Sequence, residues 1–159
     1  MASGYYTHAS YLLATAGLDL SSGTLKVLLV GSANGGYVFN PAHTYVDNGS
    51  SDSTNVKYNE LVATNYTRGY GGSGRKATTR TVTEDPSNNR TKVVFSNITW
   101  AGLGGATNDT VNGAILVKEV GNDAGSLLIA YWALSSTPTN GSDITLTMDP
   151  TNGNLRLNV

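Results

Sequence analysis

Apolar positions along this chain fall in short clusters separated by Gly, Asn, Ser and Thr, and only the first cluster repeats with a helical period. Tyr5, Ala9, Leu12, Leu13 and Ala16 lie at i, i+4, i+7, i+8 and i+11, which predicts one short amphipathic helix. Ser3 or Thr7 can cap its start, and Gly17 follows the last periodic residue where a C-cap belongs. Its simplest role is a lid on the local core. "TLKVLLVGS" then runs apolar without alternation and carries β-branched residues between Gly23 and Gly31, which predicts a strand buried on both faces.

Period-two patterning takes over in the second half. "RKATTRTVT" and "NNRTKVVFSNITW" flank the turn "EDPSNN", so residues 75 to 99 read as a β-hairpin. "VNGAILVKEVG" and "GSLLIAYWALS", separated by "GNDAG", form a second hairpin and are the best core candidates. "SDITLTMDPTNGNLRLNV" alternates at Ile144, Leu146 and Met148, turns at Asn152-Gly153, and resumes at Leu155, Leu157 and Val159: a third hairpin. Residues 32 to 55 are dense in Gly, Asn, Ser and Asp and read as a long surface loop. Tyr37, Phe39 and Tyr45 within it argue against simple disorder. Strands at this spacing describe a single all-β domain, an antiparallel sandwich or barrel-like (jelly-roll-like) body with one short N-terminal helix.

Composition supports that architecture. Only 13% of the 159 residues are charged, against roughly 25% in an average domain, so neutral Ser, Thr, Asn and Gly carry the polarity and long surface helices are disfavoured. A formal net charge of −1 provides no field to draw nucleic acid or an anionic membrane, and neither is expected as a partner. Cysteine is absent, which removes disulfides, thiolate nucleophiles and Cys-type zinc sites. "MASGYYTHASYLLATAG" lacks the basic start and sustained apolar core of a signal peptide, so the chain is expected to be soluble and made without a classical export signal. Six N-x-[ST] triplets, at Asn48, Asn65, Asn89, Asn97, Asn108 and Asn140, are what an Asn/Ser/Thr-rich chain produces by chance.

The most signature-like stretch is "GYGGSGRK", Gly69 to Lys76, which satisfies G-x-G-x-x-G and misses a phosphate loop by one inserted Arg75. Phosphate loops join a buried strand to a helix. Here "ELVATNYTR" precedes and β-branched "ATTRTVT" follows, so the glycines read as a tight path into a strand. His8 and His43 lack the partners of a catalytic triad. Glu84 and Asp85 are sequence neighbours that point apart, unlike a glycosidase pair. "DNGSSDS", Asp47 to Ser53, lacks the spaced acids of a calcium loop. No enzyme activity, metal or cofactor is expected. Trp132 reads as core or subunit contact, whereas Trp100, at a strand end before "AGLGG", reads as exposed and able to stack on a sugar.

Taken in order, "LDLSSGTLKVLLVGS", "YTRGYGGSGRKATTRTVT", "VVFSNITWAGLGG" and "NGAILVKEVGNDAGSLLIAYWAL…SDITLTMDPTNGNLRLNV" resemble a family of small structural proteins of tailed-bacteriophage particles. Members share a short N-terminal helix, a K-V-A-L type strand and a "GY…GG" segment before a Thr-rich strand. An aromatic follows a "VTF/VTW" strand, and the chain ends in a "PLIAY" hairpin and an "NG-L-x-L" close. The resemblance covers roughly residues 10 to 159, omitting the long loop and the Tyr5-Tyr6 start. It implies a virion component on the capsid exterior, made in the host cytoplasm: a decoration or cement protein, expected as a homotrimer, bound to the major capsid protein. A tail or fibre protein, including one that binds glycans, is the alternative. On this reading residues 1 to 8 form an N-terminal arm anchored by Tyr5, Tyr6 and Tyr11. Tyr37, Phe39 and Tyr45 contact a neighbouring subunit. Arg75 and Lys76 are exposed cations that meet an acidic capsid surface.

Overall fold

A computed structural model describes residues 4–151 and 153–158. The chain folds as an all-β, sandwich-like body of antiparallel sheets. In chain order its elements are β1 (Gly4–Tyr5), α1 (Thr7–Ala14), β2 (Leu25–Gly31), the single-turn α2 (Val56–Asn59), β3 (Lys76–Ala77), β4 (Arg80–Asp85), β5 (Arg90–Phe95), β6 (Ile98–Leu103), β7 (Thr110–Val120), β8 (Asn122–Pro138), β9 (Ser142–Leu146) and β10 (Leu155–Asn158). A five-stranded sheet runs β1-β8-β7-β2-β3, a three-stranded sheet β10-β5-β4, and β6 pairs with β9.

The centre of the large sheet follows from its apolar runs. β2 sits between β7 and β3 and is buried along nearly its whole length, as a two-sided strand must be. Residues directly opposite in a ladder share a face. Leu28, Ile115 and Tyr131 therefore line one side of the sheet, and Leu29, Ala114 and Trp132 the other. The Tyr131 side is covered by α1 and the long loop, where Tyr37 and Phe39 pack on the Tyr131 ring and Tyr6 stands edge-on to Phe39. The Trp132 side receives the small sheets, with the Phe95 ring of β5 edge-on to Trp132 at 6.3 Å. One continuous apolar cluster joins both sides.

Several local expectations shift. α1 begins at Thr7, and Tyr6 at its N-cap makes no side-chain capping bond; Ser3 lies outside the described residues. Tyr5 belongs to β1, because its backbone pairs with Ala130 at the free edge of β8. The expected arm is therefore built into the body from residue 4 to residue 8, and residues 1 to 3 lie outside the described chain. At the other end of α1 the Gly17 N–H reaches back to the Leu12 carbonyl at 2.8 Å, the long bond of a Schellman turn. The left-handed position in that turn falls on Ala16 (φ 55°), one residue before the predicted glycine.

The hairpin predicted over 75 to 99 is narrower and splits. β4 and β5 pair across a 3-10 turn at Pro86–Asn88, while residues 76–77 join β2 and residues from Ile98 join β9. The expected third hairpin does not form. β9 pairs with β6, and β10 crosses to β5, so the turn after Met148 changes sheets instead of returning the chain on itself. Asn152 and Val159, part of that expectation, lie outside the described residues.

Candidate functional site

The glycine-rich segment shows what one end of the molecule is built around. Gly74 packs so closely on Tyr66 that a Cβ would stand 2.5 Å from the ring, and a Cβ on Gly72 would stand 2.3 Å from the Thr67 carbonyl. Three of the segment's N–H groups bond the segment or its approach: Gly72 to Gly69, Gly74 to Thr67, Arg75 to Gly72. The Gly69 N–H goes to the Glu60 carboxylate at 3.0 Å, and the next regular element is β3, a strand. This is not the setting of a phosphate cradle, which requires free N–H groups at a helix start, whereas this segment leads into a strand. The Gly74 carbonyl accepts the Trp100 indole N–H at 2.6 Å, which corrects the reading of Trp100 as an exposed stacking residue; it is 1% exposed.

Arg75 is likewise not an exposed cation. Its side chain is wholly buried and forks onto Glu60, with Nε 3.0 Å from Oε1 and Nη2 2.7 Å from Oε2. Nη1 reaches Asp123 at 2.6 Å and Glu119 at 3.3 Å, and Lys26 binds the other Glu119 oxygen at 2.7 Å. Glu60 Oε1 also accepts the Tyr66 hydroxyl, which in turn receives the Leu29 N–H. Burial alone would pull the guanidinium pKa down, but Glu60 and Asp123 more than reverse this and leave it raised. Burial pushes the Tyr66 hydroxyl well above its ordinary value. The network ties the start of β3, the residue after α2, the β7–β8 tip and β2 into one rigid end. Lys76 is half-buried on β3, opposite Val27.

Around this node lie the segments that sequence reasoning treated separately. The long loop docks on the start of β8 through Val46 N–H to Ser126 O at 3.0 Å and Asp47 N–H to Asp123 O at 3.1 Å, and Tyr45 bridges to Leu127. Arg68 donates to the Lys57 and Tyr58 carbonyls at 2.7 and 2.8 Å. An open cleft of 520 Å³ remains between these segments, lined by Asp47, Ser50, Asn55, Lys57, Tyr58 and Arg68 among others. Asp47 is held at about 2 by the Lys57 ammonium, the Gly49 N–H and the Asn55 amide, so it is ionised and already paired. The "DNGSSDS" oxygens are similarly committed to turns of their own loop, as in Asp52 to Thr54.

The expected contact residues separate into two groups. Tyr6 and Tyr37 are buried and share a hydroxyl–hydroxyl hydrogen bond of 2.6 Å, and Phe39 is half-buried with its ring stacked on Tyr131. Burial pushes the Tyr37 hydroxyl up to about 12. Tyr5 is also engaged, donating to the Arg156 carbonyl and accepting from the Arg156 N–H. These four side chains hold the body together, because an aromatic in a polar loop is the cheapest way to pin that loop to a sheet. Tyr11, 61% exposed, and Tyr45, 44% exposed, keep free ring area. Tyr58, Tyr70 and Val120 were missed and are exposed at the braced end. Tyr70 lies inside the glycine-rich segment and is its exposed large side chain, which glycine spacing alone does not signal.

Comparison with protein-family models, with curated proteins and with solved structures gives no match. What this end of the molecule offers chemically is a rigid, polar surface carrying separated tyrosine rings.

Proposed function

We propose that the chain is a capsid decoration (cement) protein of a tailed phage, binding as a homotrimer to the outside of the major capsid protein lattice and stabilising the head. The ordered sequence resemblance ties this reading to phage particles. The structural observation that carries it is the braced end, where Tyr45, Tyr58, Tyr70 and Val120 stand exposed around loops locked by the buried Arg75 network. Tyrosines on a pre-ordered surface contribute contact area at low entropic cost, which suits a protein whose work is to dock. Binding only the assembled lattice then stabilises it by mass action.

The test is co-sedimentation of the purified chain with expanded heads lacking their decoration. Saturable binding is expected, weakened by at least about ten-fold in a Tyr45→Ser, Tyr58→Ser, Tyr70→Ser triple variant, since each ring contributes on the order of 1 kcal/mol or more. Absence of binding to expanded heads overturns the reading. The open cleft beside Tyr58 favours the fibre reading as the alternative, and a saccharide-dependent signal without head binding selects it.

A further inference from the structure

β4 is an edge strand whose centre has none of the usual protection. Thr81, Val82 and Thr83 are exposed, the strand contains neither proline nor lysine, its register against β5 has no bulge, and no strand pairs with its outer side among the described residues. Its hydrogen-bonding parity follows from its neighbours. The Ser96 N–H bonds the Thr79 carbonyl directly, so Thr79, Thr81 and Thr83 direct their backbone groups toward β5. Val93 and Phe95 of β5 direct theirs the other way, to Asn154, which agrees. The backbone groups of Arg80, Val82 and Glu84 therefore point outward, with no strand partner among the described residues.

We infer that β4 is a self-association edge, pairing antiparallel with β4 of a second copy about a two-fold axis through Val82. Only outward-facing residues can be hydrogen-bonded partners, so centring on Val82 sets Val82 opposite Val82, Arg80 opposite Glu84, and Thr81 opposite Thr83. Each of these is a favourable cross-strand pair, and the match is self-complementary as a two-fold contact requires. Glu84 has no ion partner of its own among the described residues. Arg80 donates to the Leu20 and Gly23 carbonyls, which holds its side chain beside the edge. Val82 also shares its sheet face with Val93 and Leu155, which are 1% and 3% exposed, while Val82 itself is 42% exposed. Pairing continues that apolar row across the axis into the partner's sheet. A contact of this length is small, so the dimer is concentration-dependent. The inference is independent of the capsid reading, and its two-fold symmetry is distinct from a trimer contact.

The chain has no cysteine, which allows a clean test on the purified full-length protein. Under mild oxidation Val82→Cys is expected to form a disulfide-linked dimer, because hydrogen-bonded pairs stand about 5.5 Å apart at Cα. Thr83→Cys is expected to stay monomeric on the same gel, since residue 83 meets its own copy only diagonally, at roughly 7–8 Å. In sedimentation velocity, Val82→Pro removes an outward N–H that β5 does not use and weakens association at least about ten-fold. Glu84→Arg weakens it and the Arg80→Glu, Glu84→Arg pair restores it, a rescue that a structural role of Arg80 alone does not produce. Failure of Val82→Cys to cross-link, equal cross-linking by Thr83→Cys, or association unchanged by Val82→Pro overturns the inference.

Discussion

Arg75 holds together the polar network at one end of the molecule. Its guanidinium satisfies three buried carboxylates drawn from two distant segments, the residue after α2 and the β7–β8 tip, and removing one partner of such a set strands the others without solvent. Arg75→Ala is expected to destabilise by about 3–5 kcal/mol in urea unfolding, and Arg75→Lys to recover only part of this, because an ammonium cannot fork onto Glu60. At the opposite extreme, Ala16→Gly is expected to raise stability by about 0.5–1 kcal/mol, since an exposed alanine occupies a left-handed position that glycine adopts freely. Residue roles were the least legible part of the sequence. Arg75 reads as an exposed cation because Glu60, Glu119 and Asp123 lie 15, 44 and 48 positions away, and no local pattern signals their convergence. Trp100 reads as an exposed strand end for the same reason: it lies inside β6, and its partner is the Gly74 carbonyl, 26 positions earlier.

At the scale of elements, strands whose burial follows from their own composition were legible. The run at 25–31 and the β7–β8 pair are apolar enough to declare themselves central. Pairing partners were less so: β9 and β10 carry the alternation and turn of a hairpin, yet each finds a better-matched edge elsewhere, on β6 and β5. The long loop behaves as an element because aromatic hooks and Asp47 pin it. Folding lowers the Asp47 pKa from 3.8 to about 2, so its stabilising contribution is complete above the unfolded value and is lost as pH falls through the folded one. Protection of the amides in residues 45–57, relative to their intrinsic exchange, is therefore expected to fall between about pH 4 and pH 2 before the β7–β8 core responds, and Asp47→Asn should reduce that pH dependence to the part carried by Asp52, which Thr54 likewise holds at about 2. Protection that is lost uniformly across the chain over this range would count against the assignment. Deleting residues 1 to 8 is expected to lower stability as well as any head binding, because Tyr6 and β1 belong to the core.

For the whole molecule, fold class was available from composition and spacing: few charges, Gly/Asn turns and β-branched runs leave an all-β body as the consistent solution. The surfaces were not, because which tyrosines face outward depends on how the long loop folds back over the sheet. What results is a body with a braced, tyrosine-bearing end and, on the β4–β5 hairpin, an open edge. In the proposed role the first meets the capsid, while the second, independently of that role, is inferred to pair two copies about a two-fold axis. The most direct measurement is cryo-microscopy of expanded heads, decoration-free, before and after addition of the purified chain. The account predicts added density in copy numbers fixed by the lattice, with Tyr45, Tyr58 and Tyr70 at the contact with the major capsid protein. Heads that gain no density, or density that approaches the shell through some other face, would contradict it.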